Sequence, residues 1–131
     1  MGKYVAQQVI KLMIKKGHHI KGAKALMLGI TFKENCPDIR NTRAIDIYNE
    51  LTDYGVDVTV YDPWADPKEV YNEYGIHTVT SYQKHNNYEA IILAVAHSDF
   101  ISIELNNHIQ NGTVVYDVKS ILDKDLIHSR L

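Results

Sequence analysis

Short apolar runs and amphipathic stretches alternate along this 131-residue chain, and no other feature constrains its fold as strongly. The apolar runs have the length of β-strands, whereas the amphipathic stretches repeat their apolar residues with the period of an α-helix. The pattern predicts helices over residues 2–16, 42–54, 67–74 and 99–109, and strands over residues 24–30, 56–61, 77–81, 89–96 and 113–118. Strand and helix in turn, joined by short links, are typical of a parallel sheet with helices on both faces.

The expected fold class is therefore α/β, a Rossmann-like three-layer α/β/α architecture with a mainly parallel five-stranded sheet preceded by an N-terminal helix. Residues 89–96 are too apolar for a strand with one wet face, so this strand belongs in the middle of the sheet. Right-handed crossovers then favour the strand order 3-2-1-4-5. Ligands of such sheets bind beyond the carboxyl ends of the strands, in the crevice between the first and fourth strands, where the order reverses.

Composition excludes several classes of partner. With 45% hydrophobic residues the chain has enough apolar material for the core of one domain. A formal net charge of −2 gives no general attraction to nucleic acid or to an acidic membrane face, and no segment approaches the roughly 20 apolar residues of a membrane span. The single cysteine, Cys36, excludes an intrachain disulfide and fits a reducing compartment. A cytoplasmic protein that binds neither nucleic acid nor membranes is expected.

A polar loop follows the first predicted strand beyond Gly29. It lacks the Gly-x-Gly-x-x-Gly turn of dinucleotide folds and carries three cations instead, Lys33, Arg40 and Arg43. Lys119 follows the last predicted strand and reaches the same edge of the sheet. These cations predict an anion site in which side chains, more than a glycine-rich backbone, contact a phosphate.

Four separated motifs occur in one order along the chain. They are Gly29-Ile-Thr-Phe-Lys33, Asp38-Ile-Arg40-Asn-Thr, Tyr61-Asp-Pro-Trp64 and Tyr116-Asp-Val-Lys119. Together they resemble the C-terminal UDP-binding domain of the UDP-glucose/GDP-mannose dehydrogenase family, over residues 24–123. The match is most similar to the branch that acts on UDP-N-acetylhexosamines: UDP-GlcNAc, UDP-ManNAc and UDP-GalNAc.

This resemblance implies a part of an enzyme that oxidises the C6 alcohol of a nucleotide sugar to a carboxylate with NAD⁺, for capsule and O-antigen precursors. Residues 1–20 would be a connector helix from the central domain of the parent enzyme, and residues 21–131 its UDP-binding domain. The family's catalytic cysteine and glycine-rich cofactor motif are not found in this sequence. NAD would then be bound mainly by an N-terminal domain, the chain alone would not catalyse, and the parent enzyme would be a homo-oligomer.

The resemblance also implies the roles of individual residues. Phe32, Lys33 and Lys119 would contact the UDP-sugar and Arg40 would contact NAD, with no catalytic residue and no metal ligand in the chain. Lys119 stands where UDP-glucose enzymes carry arginine, which removes a bidentate contact. From the residues alone, Phe32 is as easily a core aromatic, and Asp38 either orients Arg40 or starts a turn.

Histidines and the cysteine give weaker signals. The seven histidines and Cys36 show no ligand-spaced set, so no metal site is expected, and Cys36 is expected to be a small, partly buried thiol. His97 follows the fourth predicted strand and is expected to bond to backbone. A second class of function stays open, a free-standing nucleotide-binding or regulatory module without catalysis, since an α/β fold alone does not determine function.

Overall fold

Helices and strands alternate in the computed structural model, which describes residues 2–81, 87–100 and 112–119 and the backbone of residues 129–130. The helices in these ranges are α1 (Gly2–Lys15), α2 (Ala44–Asp53) and α3 (Pro67–Tyr74), and Ser98–Phe100 forms one 3-10 turn. The strands are β1 (Lys24–Leu28), β2 (Asp57–Tyr61), β3 (Thr78–Val79), β4 (Ala90–Leu93), β5 (Val114–Asp117) and β6 (Ser129–Arg130). The helix predicted over residues 99–109 lies mostly outside the described residues. No described helix has the length and apolar character needed to cross a membrane.

The strands form one parallel sheet in the order β3-β2-β1-β4-β5-β6. The predicted α/β class, the parallel pairing and the order of the first five strands are confirmed. All five predicted strands are present, and a two-residue strand that was not predicted, β6, extends the sheet beside β5. A two-residue strand has no measurable period in the sequence, so pattern analysis does not detect it.

The two central strands are buried on both faces, as their composition predicts. All four residues of β4 are buried, and β1 lies between β2 and β4. Because successive strand residues point to opposite faces, Met27 and Ile92 belong to one core cluster, whereas Leu26 and Leu28 belong to the other. The first cluster includes residues of α1, α2 and α3, and the second includes Phe100.

Helix α1 packs on the domain instead of projecting from it. Its buried residues join the larger core cluster and contact α2 and β5; they are Val5, Ala6, Val9, Ile10 and Met13. The approach to α2 is close at Gly2, where an added Cβ would lie 2.4 Å from the Cβ of Asp46. The apolar stripe predicted for this helix is thus covered by the chain itself.

Gly29 ends the run of β1 and starts the loop that leads to α2. Its φ of +98° is in the left-handed region, and its N–H donates to the carbonyl of Tyr61 at 2.9 Å. A Cβ at this position would lie 2.5 Å from the Cβ of Val95, which follows β4. Two constraints, conformation and close approach, therefore require glycine here.

We predict that Gly29→Ala destabilises the fold more than Gly17→Ala. Gly17 also has a left-handed φ, +83°, but no atom lies within 4 Å of a Cβ built there. The control should lose about 1–2 kcal/mol from backbone strain alone, and Gly29→Ala about 1–3 kcal/mol more from the clash with Val95. Urea unfolding of both variants measures the difference. Equal losses would mean that Val95 moves aside at no cost, contrary to this prediction.

Candidate functional site

A cavity of about 300 Å³ lies at the carboxyl ends of β1, β4 and β5, at the point where the strand order reverses. The start of α1, the loop after β1 and the start of α2 complete its wall. Its charged lining comes from Arg43 and Lys119, and no carboxylate lines it in the described part of the chain. Apolar lining comes from residues such as Val5, Ile47 and Val118. A cationic cavity with apolar walls suits an anion that carries a ring system.

The residues predicted from the sequence divide into two groups. Phe32 and Lys119 line the cavity, whereas Lys33 and Arg40, both within the described residues, do not. The Phe32 side chain is 54% exposed, so its interpretation as a core aromatic was wrong. Arg43 lines the cavity although the resemblance assigned it no role; its signal in the sequence was a cation directly before α2.

Arg40 is paired with Asp38 through a bidentate contact. Arg40 Nε lies 3.0 Å from one carboxylate oxygen and Nη2 lies 3.0 Å from the other, while the backbone N–H of Arg40 also donates to Asp38 at 2.9 Å. Both alternatives for Asp38 therefore hold, since it orients the guanidinium and forms the turn. These hydrogen bonds lower the pKa of Asp38 to about 2. The Arg40 side chain is 81% exposed, so the pair directs the guanidinium more than it stabilises the fold.

Asp62 connects the loops at the carboxyl edge of the sheet. It follows β2, is fully buried, and its Oδ2 accepts from the N–H groups of Ile30 at 2.7 Å and Thr31 at 3.2 Å. Its Oδ1 accepts from two N–H groups of its own loop, at 2.8 and 3.1 Å. Burial by itself would raise the pKa of Asp62, but the hydrogen bonds from His97 and from backbone N–H groups outweigh it and lower the pKa. The carboxylate is therefore ionised in the fold.

His97 is fully buried beside this carboxylate. Its Nε2 lies 3.1 Å from Asp62 Oδ2 and 3.0 Å from Thr31 Oγ1, and its Nδ1 accepts from the backbone N–H of Asn35 at 2.9 Å. A ring nitrogen that faces an N–H donor carries no proton, so these contacts fit the neutral tautomer with hydrogen on Nε2. The predicted bond to backbone is confirmed; the sequence analysis missed the bond to Asp62.

Further contacts fasten the rest of the loop. Asn35 has a φ of +53°, and its Oδ1 accepts from the backbone N–H of Ser98 at 3.0 Å and from its hydroxyl at 3.1 Å. The Thr42 hydroxyl donates to the carbonyl of Thr31 at 3.2 Å and accepts from the N–H of Ala44 at 3.3 Å. The loop that carries Phe32 is thus bonded to the segments after β2 and β4 and to the start of α2.

Metal chemistry has no visible basis in the described residues, since no three His, Cys, Asp or Glu side chains cluster there. Cys36 is half-buried, and His18 Nε2 lies 2.6 Å from the carbonyl of Gly112.

Comparison with known proteins identifies the family of the chain. The pattern of the UDP-glucose/GDP-mannose dehydrogenase family, UDP binding domain, matches residues 26–124. The chain belongs to this family. This confirms the resemblance seen in the four motifs. The cavity is lined mainly by residues of the matched range, and Gly2 and Val5 of α1 complete it from outside that range.

Relatives within the family cover the whole chain. It is 46% identical over 134 residues to a UDP-N-acetyl-D-glucosamine 6-dehydrogenase of Pseudomonas aeruginosa, across 100% of this chain and 32% of that protein. The corresponding enzyme of Salmonella typhi is also 46% identical, across 100% of the chain and 31% of that protein. The chain spans about a third of the length of these curated relatives.

A solved structure shares the fold. The NDP-N-acetyl-D-galactosaminuronic acid dehydrogenase from Methanosarcina mazei Go1 superimposes with a TM-score of 0.81 at 21% identity, over 95% of this chain and 26% of that chain. At that identity the likeness confirms the Rossmann-like architecture and no more.

We predict that Asp62→Asn destabilises the protein and flattens its acid-unfolding curve. The folded-state pKa of Asp62 is lowered from its ordinary value of 3.8, so its stabilisation is present above that value and is lost as the pH falls through the folded pKa. An asparagine amide would point N–H groups at N–H donors, which should cost about 3 kcal/mol at neutral pH. Urea unfolding over a series of acidic pH values measures both effects, with Asp53→Asn, at an exposed aspartate at the end of α2, as the control. If the free energy of unfolding of Asp62→Asn fell with acidic pH as steeply as that of the wild type, the prediction would be contradicted.

Proposed function

We propose that this chain is the UDP-sugar-binding part of an NAD-dependent UDP-N-acetylhexosamine 6-dehydrogenase, which oxidises the sugar C6 alcohol to a carboxylate. The observation that supports this proposal most directly is the cationic cavity at the edge of the sheet where the strand order reverses. The chain that contains it belongs to the family's UDP binding domain. The two relatives named above, both UDP-N-acetyl-D-glucosamine 6-dehydrogenases, favour a hexosamine over glucose. On this proposal the chain binds the nucleotide, and other parts of the enzyme complete the reaction site.

The cavity fits the chemistry of a nucleoside diphosphate. Arg43 and Lys119 supply positive charge for the diphosphate, and Arg43 stands directly before α2, whose amino end adds a favourable dipole. Phe32 is exposed at the cavity, where its ring is available to pack on a base or a sugar. Lys33, exposed next to it, is our candidate for a contact with the part of the UDP-sugar outside the cavity.

The cofactor would be NAD, bound mainly by an N-terminal domain of the longer enzyme. Arg40 is our candidate contact from this chain, because its exposed guanidinium is oriented by Asp38 and does not line the cavity. We propose further that residues 1–20 are the connector from a central domain, that residues 21–131 are the UDP-binding domain, and that the enzyme is a homo-oligomer. The buried face of α1 supports a rigid connection between such parts.

We predict that the cavity cations control UDP affinity. Lys119→Ala and Arg43→Ala should each weaken UDP binding about ten- to a hundredfold, because each removes a charge-assisted contact. Lys11→Ala, an exposed lysine of α1, and Arg40→Ala should change it less than about threefold. Isothermal titration with UDP gives the affinities. If the cavity variants bind UDP as well as the Lys11→Ala control, the cavity is not the nucleotide site.

We also predict that the chain alone forms no NADH from NAD⁺ and UDP-GlcNAc. The family's catalytic cysteine and cofactor motif are not found in its sequence, and Cys36 belongs to the Asp38-Ile-Arg40 loop, not to a catalytic motif. NADH fluorescence with purified protein, with Cys36→Ser as the control for contaminating activity, provides the measurement. If the wild type formed NADH and Cys36→Ser did not, the proposal that other parts of the enzyme complete the reaction site would be contradicted.

A further inference from the structure

One imidazole ring contacts both ends of residues 31–35, the segment that carries Phe32 and Lys33. At one end, His97 Nε2 lies 3.0 Å from Thr31 Oγ1; at the other end, Nδ1 accepts from the N–H of Asn35 at 2.9 Å. The Thr31 hydroxyl also donates to the carbonyl of Lys33 at 3.0 Å, within the segment. The conformation of the segment is therefore coupled to a single buried side chain.

We propose that His97 is a positioning residue for nucleotide binding: its unprotonated Nδ1 keeps residues 31–35 in the conformation that presents Phe32 and Lys33 to the ligand. The inference rests on the proposed function, because it concerns how the UDP-binding loop is shaped. His97 itself does not line the cavity, so it acts through the segment and not on the ligand.

The two ends of the segment differ in their other connections. Thr31 is also held by Asp62 Oδ2 on its N–H and by the Thr42 hydroxyl on its carbonyl, so the Asn35 end depends more on the segment after β4. Asn35 adopts a left-handed φ of +53°, a conformation that costs energy for a residue other than glycine and needs support. Its support comes from His97 Nδ1 on its N–H and from Ser98 on its side-chain oxygen. Phe32 adds a bond from its N–H to the carbonyl of Asp38, inside the loop itself. Loss of the His97 contact therefore removes one of the three described bonds that join Asn35 to the segment after β4, and the only one of them made by the Asn35 backbone.

Packing alone does not explain a histidine at this position. The ring stacks on Trp64 with centroids 5.9 Å apart and meets Phe100 edge-on at 5.4 Å, contacts that a phenylalanine would also make. Its two nitrogens, however, are both used, one towards Asp62 and Thr31 and the other towards Asn35. The polar requirement is thus specific to an imidazole with one donor and one acceptor.

Protonation of the ring would break the arrangement at one end. A second ring proton would put an N–H on Nδ1, opposite the N–H of Asn35, while Nε2 would keep its bond to Asp62. The ionisable groups near the ring include two carboxylates: Asp62, on Nε2, and Asp99, which accepts from the indole of the stacked Trp64 at 2.9 Å. Tyr61 also lies nearby, with its ring 5.8 Å from that of Phe100. Acid should therefore free the Asn35 end of the segment and weaken nucleotide binding.

Two substitutions separate positioning from packing. His97→Phe keeps an aromatic ring between Trp64 and Phe100 but removes both polar contacts, whereas His97→Asn removes the ring but offers an amide oxygen near the position of Nδ1. We expect UDP to bind His97→Phe roughly tenfold more weakly than wild type, and His97→Asn within about threefold, as measured by isothermal titration. The opposite order, or wild-type affinity in His97→Phe, would overturn the proposal.

The wild-type protein provides a test that needs no variant to fold. Nitrogen-15 NMR should show the proton of His97 on Nε2 at neutral pH, and the Asn35 amide should exchange with solvent faster once the ring becomes doubly protonated. A proton on Nδ1 at neutral pH, or exchange of Asn35 that does not follow the titration of the ring, would overturn the proposal.

The pH dependence of UDP affinity closes the test. The terminal phosphate of UDP itself titrates at about pH 6. This change in the ligand affects the wild type and His97→Asn equally, so the ratio of their affinities reports only the effect of the His97 ring. We expect that ratio to fall as the ring is protonated; a constant ratio would contradict the inference. If the wild type does not bind UDP at all, the proposed function fails, while the NMR experiment still decides whether His97 positions the segment.

Discussion

The buried carboxylate of Asp62 is the contact on which the carboxyl edge of this sheet depends. A charge without water is costly unless polar partners surround it, and Asp62 meets that condition with donors from the loop after β1, from its own loop and from His97. Hydrogen bonds to an ionised group are also stronger than those between neutral groups. One side chain therefore joins the segments that follow three neighbouring strands, and the loop after β1 takes its course from this junction.

The consequence for ligand binding is a loop whose backbone is fastened inside while its functional side chains point outward. Phe32 stays exposed next to backbone that is bonded to Asp62 and Asp38. Dinucleotide folds achieve close contact with pyrophosphate through glycines, which let the backbone itself approach the anion. Here the cavity presents Arg43 and Lys119 instead. This chain thus has the topology of a Rossmann-like sheet, and in the function that we propose the anion is bound by side chains.

Asp38 and Arg40 form a local pair that bears on the contact with NAD that we propose for Arg40. Their bidentate contact is exposed and adds little to stability, but it restricts the guanidinium to one orientation. Restriction before binding lowers the entropy lost on binding. An arginine held in this way, outside the cavity, is suited to a ligand bound largely by another domain, which agrees with the division between UDP-sugar and NAD that we propose.

Periodicity in the sequence was sufficient to predict the α/β class, the parallel pairing, the order of the first five strands and the edge at which the cations collect, because each of these follows from local patterns. The sequence alone did not predict the pairing of Asp62 with His97, which lie 35 residues apart, and did not decide between a buried and an exposed Phe32. It predicted an anion site from the cations, but not that Arg43 and Lys119 line the cavity whereas Lys33 and Arg40 do not. It also missed β6, whose two residues are too few for a pattern. A sequence pattern shows where a strand ends, but the direction of each side chain beyond that end is decided by contacts between segments that are distant along the chain and neighbours in the fold.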